Sequence, residues 1–180
     1  MTSHIHHSGC GCLAMFQRRR LLGLGLGAAA LAVTAGPAVA SLDKGYEAML
    51  LKCIDPRFTT NTWSYMASRG WQNLYSQFNI AGGPIGVVAP AFADWHKTFW
   101  DNLGISVQLH EVKRMVAITH RDCGAAAVAY GDRIKTDRAF ETEMNTKALR
   151  QFRSEVQKRQ PHLAVELGIM ELSGAVVVVT

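Results

Sequence analysis

Apolar positions in this chain gather into short continuous runs and longer periodic stretches, and the two kinds alternate. Residues 49–55 are a brief apolar run with a polar end, the pattern of a buried strand. Residues 61–69 have helical composition and stop at Gly70. Residues 74–80 alternate imperfectly and run into Ala81-Gly82-Gly83-Pro84, which predicts a strand entering a tight loop. Between 90 and 110, Phe92, Trp95, Phe99, Leu103, Val107 and His110 recur every three or four positions. That spacing predicts an amphipathic helix with a bend at Gly104. A second buried strand follows at 115–119. A long charged helix is expected over 137–159, with Phe140, Met144, Leu149, Phe152 and Val156 inward and a stop before Pro161. Apolar runs at 165–172 and 175–179 flank Ser173-Gly174, a hairpin turn.

Strands alternating with helices and closed by a hairpin imply an α/β fold: a mostly parallel central sheet flanked by helices, with a C-terminal hairpin. In such sheets ligands bind beyond the carboxyl ends of the strands. Two segments place reactive side chains there, Cys53-Ile54-Asp55-Pro56-Arg57 after the first strand and His120-Arg121-Asp122-Cys123-Gly124 after the third.

Charge changes the picture once the first forty residues are set apart. The whole chain of 180 residues carries a formal +5, but residues 1–40 hold three arginines and no acid. Arg18-Arg19-Arg20, a Leu/Gly/Ala stretch and Ala38-Val39-Ala40 together predict a signal peptide of twin-arginine type, cleaved after Ala40. The expected products are a leader at 1–40 and one domain at 41–180, exported to the periplasm and free of any stable membrane anchor. His4, His6, His7, Cys10 and Cys12 lie upstream of the cut and are given no role. The domain's balance of 16 basic to 14 acidic residues is too even for nucleic-acid binding.

Cys53 and Cys123 are the only cysteines after residue 40. Three readings stand: a disulfide, which export permits; two buried thiols without a task; or a zinc site completed by His120. Asp55 and Arg57 favour the last, because a charge-assisted carboxylate–guanidinium pair beside a thiolate serves neither of the others. His96 and His162 read as surface histidines. Trp63, Trp71, Trp95 and Trp100 read as core or dimer contacts, and Arg121-Asp122 as a solvated pair.

Cys53-x-Asp55-x-Arg57 followed by His120-x-x-Cys123-Gly124 resembles the β-class carbonic anhydrases. The resemblance covers most of residues 48–180 and takes in Asn79-Ile80-Ala81-Gly82-Gly83 and the terminal hairpin at 165–174. It implies a zinc lyase, a carbonate dehydratase, in which Cys53, His120 and Cys123 ligate Zn2+. Asp55 would orient the attacking water, and Arg57 would hold Asp55 off the metal. Gly124 would let the chain pass close to the site. It also implies CO2 and bicarbonate as substrates and a homodimer or larger homo-oligomer. Hydrolysis of carbonyl sulfide or carbon disulfide on the same scaffold is the alternative activity. A non-catalytic exported protein with a Cys53–Cys123 disulfide is the alternative without one.

Overall fold

A computed structural model describes residues 45–180. The leader expected at 1–40 and its Cys/His tract lie outside the described residues. Strand β1 (Ala48–Lys52) is followed by a 3-10 turn at Pro56–Phe58 and helix α1 (Thr59–Ser68). Next come β2 (Tyr75–Asn79), α2 (Pro84–Val88), α3 (Ala93–His110) and β3 (Arg114–His120). The chain closes with α4 (Gly124–Tyr130), α5 (Arg133–Thr136), α6 (Arg138–Arg159), β4 (Ala164–Met170) and β5 (Val176–Val179). Among the described residues, no helix is long and apolar enough to cross a membrane.

The sheet runs β2-β1-β3-β4-β5, parallel except for the antiparallel β4–β5 hairpin. Its two inner strands are apolar for a physical reason: both of their faces are covered. All of β1 is buried, and all of β3 but Arg114. The pleat sends alternate side chains to opposite faces. Met49, Leu51, Met115 and Ala117 meet α2, α3 and α6 through Ile85, Phe99, Leu103, Leu149 and Phe152. Ala48, Leu50, Val116 and Ile118 meet Phe58 and Met66 on the α1 side. Phe99 and Phe152 pack with ring centroids 5.5 Å apart.

The order 2-1-3 creates a topological switch. After β1 the chain crosses outward to β2, and after α3 it returns to the other side of β1 as β3. The crevice beyond the carboxyl ends of β1 and β3 is where a doubly wound sheet leaves room for a ligand.

Several expectations are corrected locally. The loop at 81–84 leads into α2, whose five residues are all buried. Helix α3 is continuous through Gly104, and a 3-10 turn at Pro90–Phe92 precedes it. Trp95 is 38% exposed and stacked on Phe92 at 4.6 Å, which sets aside its core reading and not that of a dimer contact. Trp63 is also exposed. His96 is half-buried, with Nε2 3.1 Å from the carbonyl of Ala89.

Candidate metal centre

Cys53 follows β1 directly, His120 ends β3, and Cys123 precedes α4, so the switch crevice brings together residues far apart in sequence. One ligand atom from each lies within 4.8 Å of the other two, and all three residues are buried. Both thiols are free, which sets the disulfide reading aside.

Each donor is oriented by its surroundings. His120 Nδ1 is 2.8 Å from the carbonyl of Arg121. A carbonyl can only accept, so Nδ1 carries the proton and Nε2 presents the lone pair. That Nε2 is buried and has no hydrogen-bond partner among the described residues. Phe58 packs against the ring, with centroids 4.4 Å apart. Cys53 Sγ accepts the backbone N–H of Gly82 at 3.2 Å. The glycine segment can approach because Gly83 has φ +55, and a Cβ there would lie 2.9 Å from the carbonyl carbon of Lys52. The Asn79-to-Gly83 segment therefore wraps the end of β1.

The cluster's electrostatics favour a positive charge among the donors. The Cys53 thiol falls to about 4, chiefly because the Cys123 thiol donates to it. His120 and the N–H groups of Asp55 and Gly82 add to this, while burial opposes it. Contact with Cys53 and burial push the Cys123 thiol up. Burial alone would lower the His120 imidazole, but contact with Cys53, the Arg121 carbonyl and Asp55 raises it.

A tetrahedral zinc holds sulfur and nitrogen ligands at about 2.3 and 2.0–2.1 Å, within reach of these atoms after a small contraction. Two thiol sulfurs, one fixed imidazole tautomer and an orphaned Nε2 make the donor set fit that ion. Three protein ligands also leave a fourth position open.

Asp55 borders the cluster, with Oδ2 4.0 Å from His120 Nε2. Arg57 grips it in a fork. Nε lies 3.1 Å from both carboxylate oxygens, Nη2 lies 2.7 Å from Oδ2, and the Arg57 backbone N–H reaches Oδ1 at 2.9 Å. These contacts hold the Asp55 carboxyl below the usual carboxylate range, the guanidinium hydrogen bonds first among the causes. The opposite side of Arg57 is held by Asp122, through Oδ2 at 2.8 Å from Nη1 and the backbone carbonyl at 3.0 Å from Nη2.

Asp122 and Arg121 therefore do more than sit in solvent. Asp122 adopts φ +55, a left-handed conformation uncommon outside glycine, and its N–H donates to Glu141 Oε1 at 2.7 Å. Arg121 is buried, donating to Glu141 at 3.2 Å, Glu171 at 3.0 Å and Thr142 at 2.8 Å. Glu141 thus holds Asp122, Asp122 holds Arg57, and Arg57 holds Asp55. Gly124 is not the close-approach residue expected of it: a Cβ there would meet nothing within 4 Å. The unusual backbone belongs to Asp122. Sequence reasoning missed Glu141, and nothing local to residue 141 signals a role at residue 122.

No family model matches the chain. An uncharacterized protein of Rickettsia bellii is 27% identical over 128 residues, covering 71% of this chain and 78% of that protein. One from Rickettsia conorii is also 27% identical over 128 residues, covering 69% of its own length. Among solved structures, a carbonic anhydrase of Streptococcus mutans superposes with TM-score 0.53 at 18% identity, over 81% of this chain and 88% of that one. A carbonic anhydrase of Glaciozyma antarctica gives 0.51 at 16% identity, over 78% and 87%. A β-carbonic anhydrase of Aspergillus fumigatus gives 0.52 at 14% identity, over 78% of each chain. Together with the sheet order and the terminal hairpin, these likenesses give the chain a β-carbonic anhydrase-like fold.

Proposed function

We propose that this protein is a zinc-dependent carbonic anhydrase that interconverts CO2 and water with bicarbonate and a proton. One observation carries the reading. Cys53, His120 and Cys123 converge within 4.8 Å in the switch crevice, beside a carboxylate that Arg57 locks in place. Zinc held by these donors supplies Lewis acidity, the chemistry that makes water nucleophilic near neutral pH.

The chain's own residues do the rest. Asp55, kept ionised by Arg57, accepts a hydrogen bond from the attacking water and orients it toward the carbon of CO2. Because Arg57, itself held by Asp122, grips this carboxylate from the outside, it stays a hydrogen-bond acceptor and does not swing in as a ligand. A recess of about 10 Å3 beside Cys53 and His120, walled by Phe58, Ile118 and Met170 together with Lys52, Thr62 and Thr119, has room for about one water-sized molecule. Export by a twin-arginine leader and assembly into a homo-oligomer belong to the same proposal. The leader sequence supports the first, and exposed Ile54 and Trp63 support the second.

The test joins elemental analysis to stopped-flow CO2 hydration. About one zinc per chain is expected in the purified protein, with loss of both metal and activity in Cys123→Ala. Asp55→Asn is expected to keep the zinc and lose most of the turnover. A zinc-replete protein no faster than Cys123→Ala would overturn the assignment. Turnover of CS2 or carbonyl sulfide without CO2 hydration would redirect it to the related hydrolase.

A further inference from the structure

Three of the chain's seven histidines and two of its four cysteines fall within nine residues, His4-Ile5-His6-His7-Ser8-Gly9-Cys10-Gly11-Cys12. The other two cysteines, Cys53 and Cys123, are both taken up in the metal centre with His120. Residues 1–40 contain no Asp or Glu, so the tract offers thiols and imidazoles without a carboxylate. Such donors select zinc and softer ions and offer nothing to magnesium or calcium.

The spacing suits one ion. Donors two apart stand on the same side of an extended backbone. His4 is so placed with His6, and Cys10 with Cys12, and Ser8-Gly9 between the pairs permits the chain to reverse. Two sulfurs and two imidazole nitrogens make a tetrahedral zinc set, with one histidine to spare. A disulfide across a single residue closes a small, strained ring. In the reducing compartment where the chain is made, Cys10 and Cys12 therefore stand as thiols. On the proposed export route the segment before Arg18-Arg19-Arg20 stays on that side.

The tract and the metal centre differ in what they need from the fold. Cys53 follows β1 and His120 ends β3, and these two meet only when the strands pair. His4, His6, His7, Cys10 and Cys12 are neighbours in sequence and need no fold to converge. We propose that residues 4–12 are a second zinc site, in which Cys10, Cys12 and two of the three histidines hold one ion before the domain folds. The site supplies the unfolded chain with bound zinc, and removal of the leader takes the site with it.

The experiment counts zinc by elemental analysis in the uncut chain of residues 1–180, dialysed under reducing conditions against a weak chelator, with and without denaturing urea. One zinc per chain belongs to the processed protein; the uncut chain is expected to hold about two, and its Cys10→Ser/Cys12→Ser variant about one. In the uncut Cys123→Ala chain, which lacks the folded centre, about one zinc should remain with or without urea. Cobalt in its place should show a thiolate-to-metal charge-transfer band. Adding Cys10→Ser/Cys12→Ser to Cys123→Ala should remove both ion and band, and excess magnesium should displace nothing. A zinc count that Cys10→Ser/Cys12→Ser leaves unchanged, or retention in urea independent of Cys10 and Cys12, would overturn the site. A protein that holds both ions but does not hydrate CO2 refutes the proposed function and leaves the tract. An active enzyme with about one zinc in its uncut chain does the reverse.

Discussion

Glu141 is the residue on which the metal loop should prove most dependent. Its side chain is 7% exposed, and its two oxygens hold three donors: Asp122 N–H, Arg121 and Arg138. Replacing Glu141 by alanine leaves Asp122, already in a left-handed conformation, without an acceptor for its N–H. A buried donor without a partner costs about 1–3 kcal/mol, and Asp122, whose side chain is exposed, stands at the low end of that range. Removing one partner of a buried ion pair costs about 3–5 kcal/mol. The second figure is an upper bound here, because Arg121 keeps Glu171 and Thr142 and the exposed Arg138 returns to water. A net loss of about 3 kcal/mol follows, equivalent to about 10 °C in Tm for a domain of this size. Glu141→Gln keeps an acceptor for Asp122 and loses only the charge, so about half that loss is expected. Urea denaturation of the zinc-loaded proteins measures both, and the rate of zinc release to a chelator should rise in the same order. A loss below about 1 kcal/mol in the alanine variant, or equal losses in the two, would refute the argument that Glu141 braces the loop.

Two further outcomes follow from geometry already described. Gly83 combines φ +55 with ψ −119, a region closed to side chains, and its missing Cβ would press on β1. Gly83→Ala should therefore cost about 3 kcal/mol and loosen zinc, whereas Gly124→Ala should be tolerated; equal behaviour of the two in thermal melts would contradict this. Glu166 lies between Arg69 and Arg114, which hold its carboxyl below the usual range although burial opposes them. With the folded pKa depressed, the pairing stabilises fully above the unfolded value of about 4.3 and is lost as pH falls through the lower folded value. Glu166→Gln should thus be less stable than the parent by about 1 kcal/mol at pH 7, given the partial exposure. That gap should close between about pH 5 and pH 3; a gap independent of pH in urea melts would be evidence against the pairing.

The central strands were legible because burial on both faces writes a continuous apolar run, as in Met49-Leu50-Leu51 and Met115-Val116-Ala117-Ile118. The metal donors were legible because Cys, His, Asp and Arg are costly to bury idly and stand at strand ends. Helix α2 was not, since five residues buried on every side show no amphipathic period, and Pro84 and Gly86 read as loop. Trp95 keeps the helical period of Phe99 and Leu103, but periodicity does not say where the core beneath a helix ends. Lys52 reads as the polar end of a strand, and only the packing of α1 and β2 shows that it is enclosed. Arg121 finds its carboxylates 20 and 50 positions away, in α6 and beyond β4, so no local pattern separates it from a solvated arginine.

The switch-point crevice also bears on how the protein matures. Arg57 and Asp122, whose contact spans the centre, are 65 positions apart. Cys53 and His120 become neighbours only when β1 and β3 pair across the intervening α1, β2, α2 and α3. Closing a loop of that length costs about 4 kcal/mol in chain entropy beyond the constant of short loops. Long-range parallel pairing of this kind also forms late and slowly. Before it forms, the chain offers a lone thiol at one place and a His-x-x-Cys pair at another, each open to oxidation or to stray metal. Uptake of metal by all three donors together would therefore report that folding of the sheet is complete, rather than initiate it.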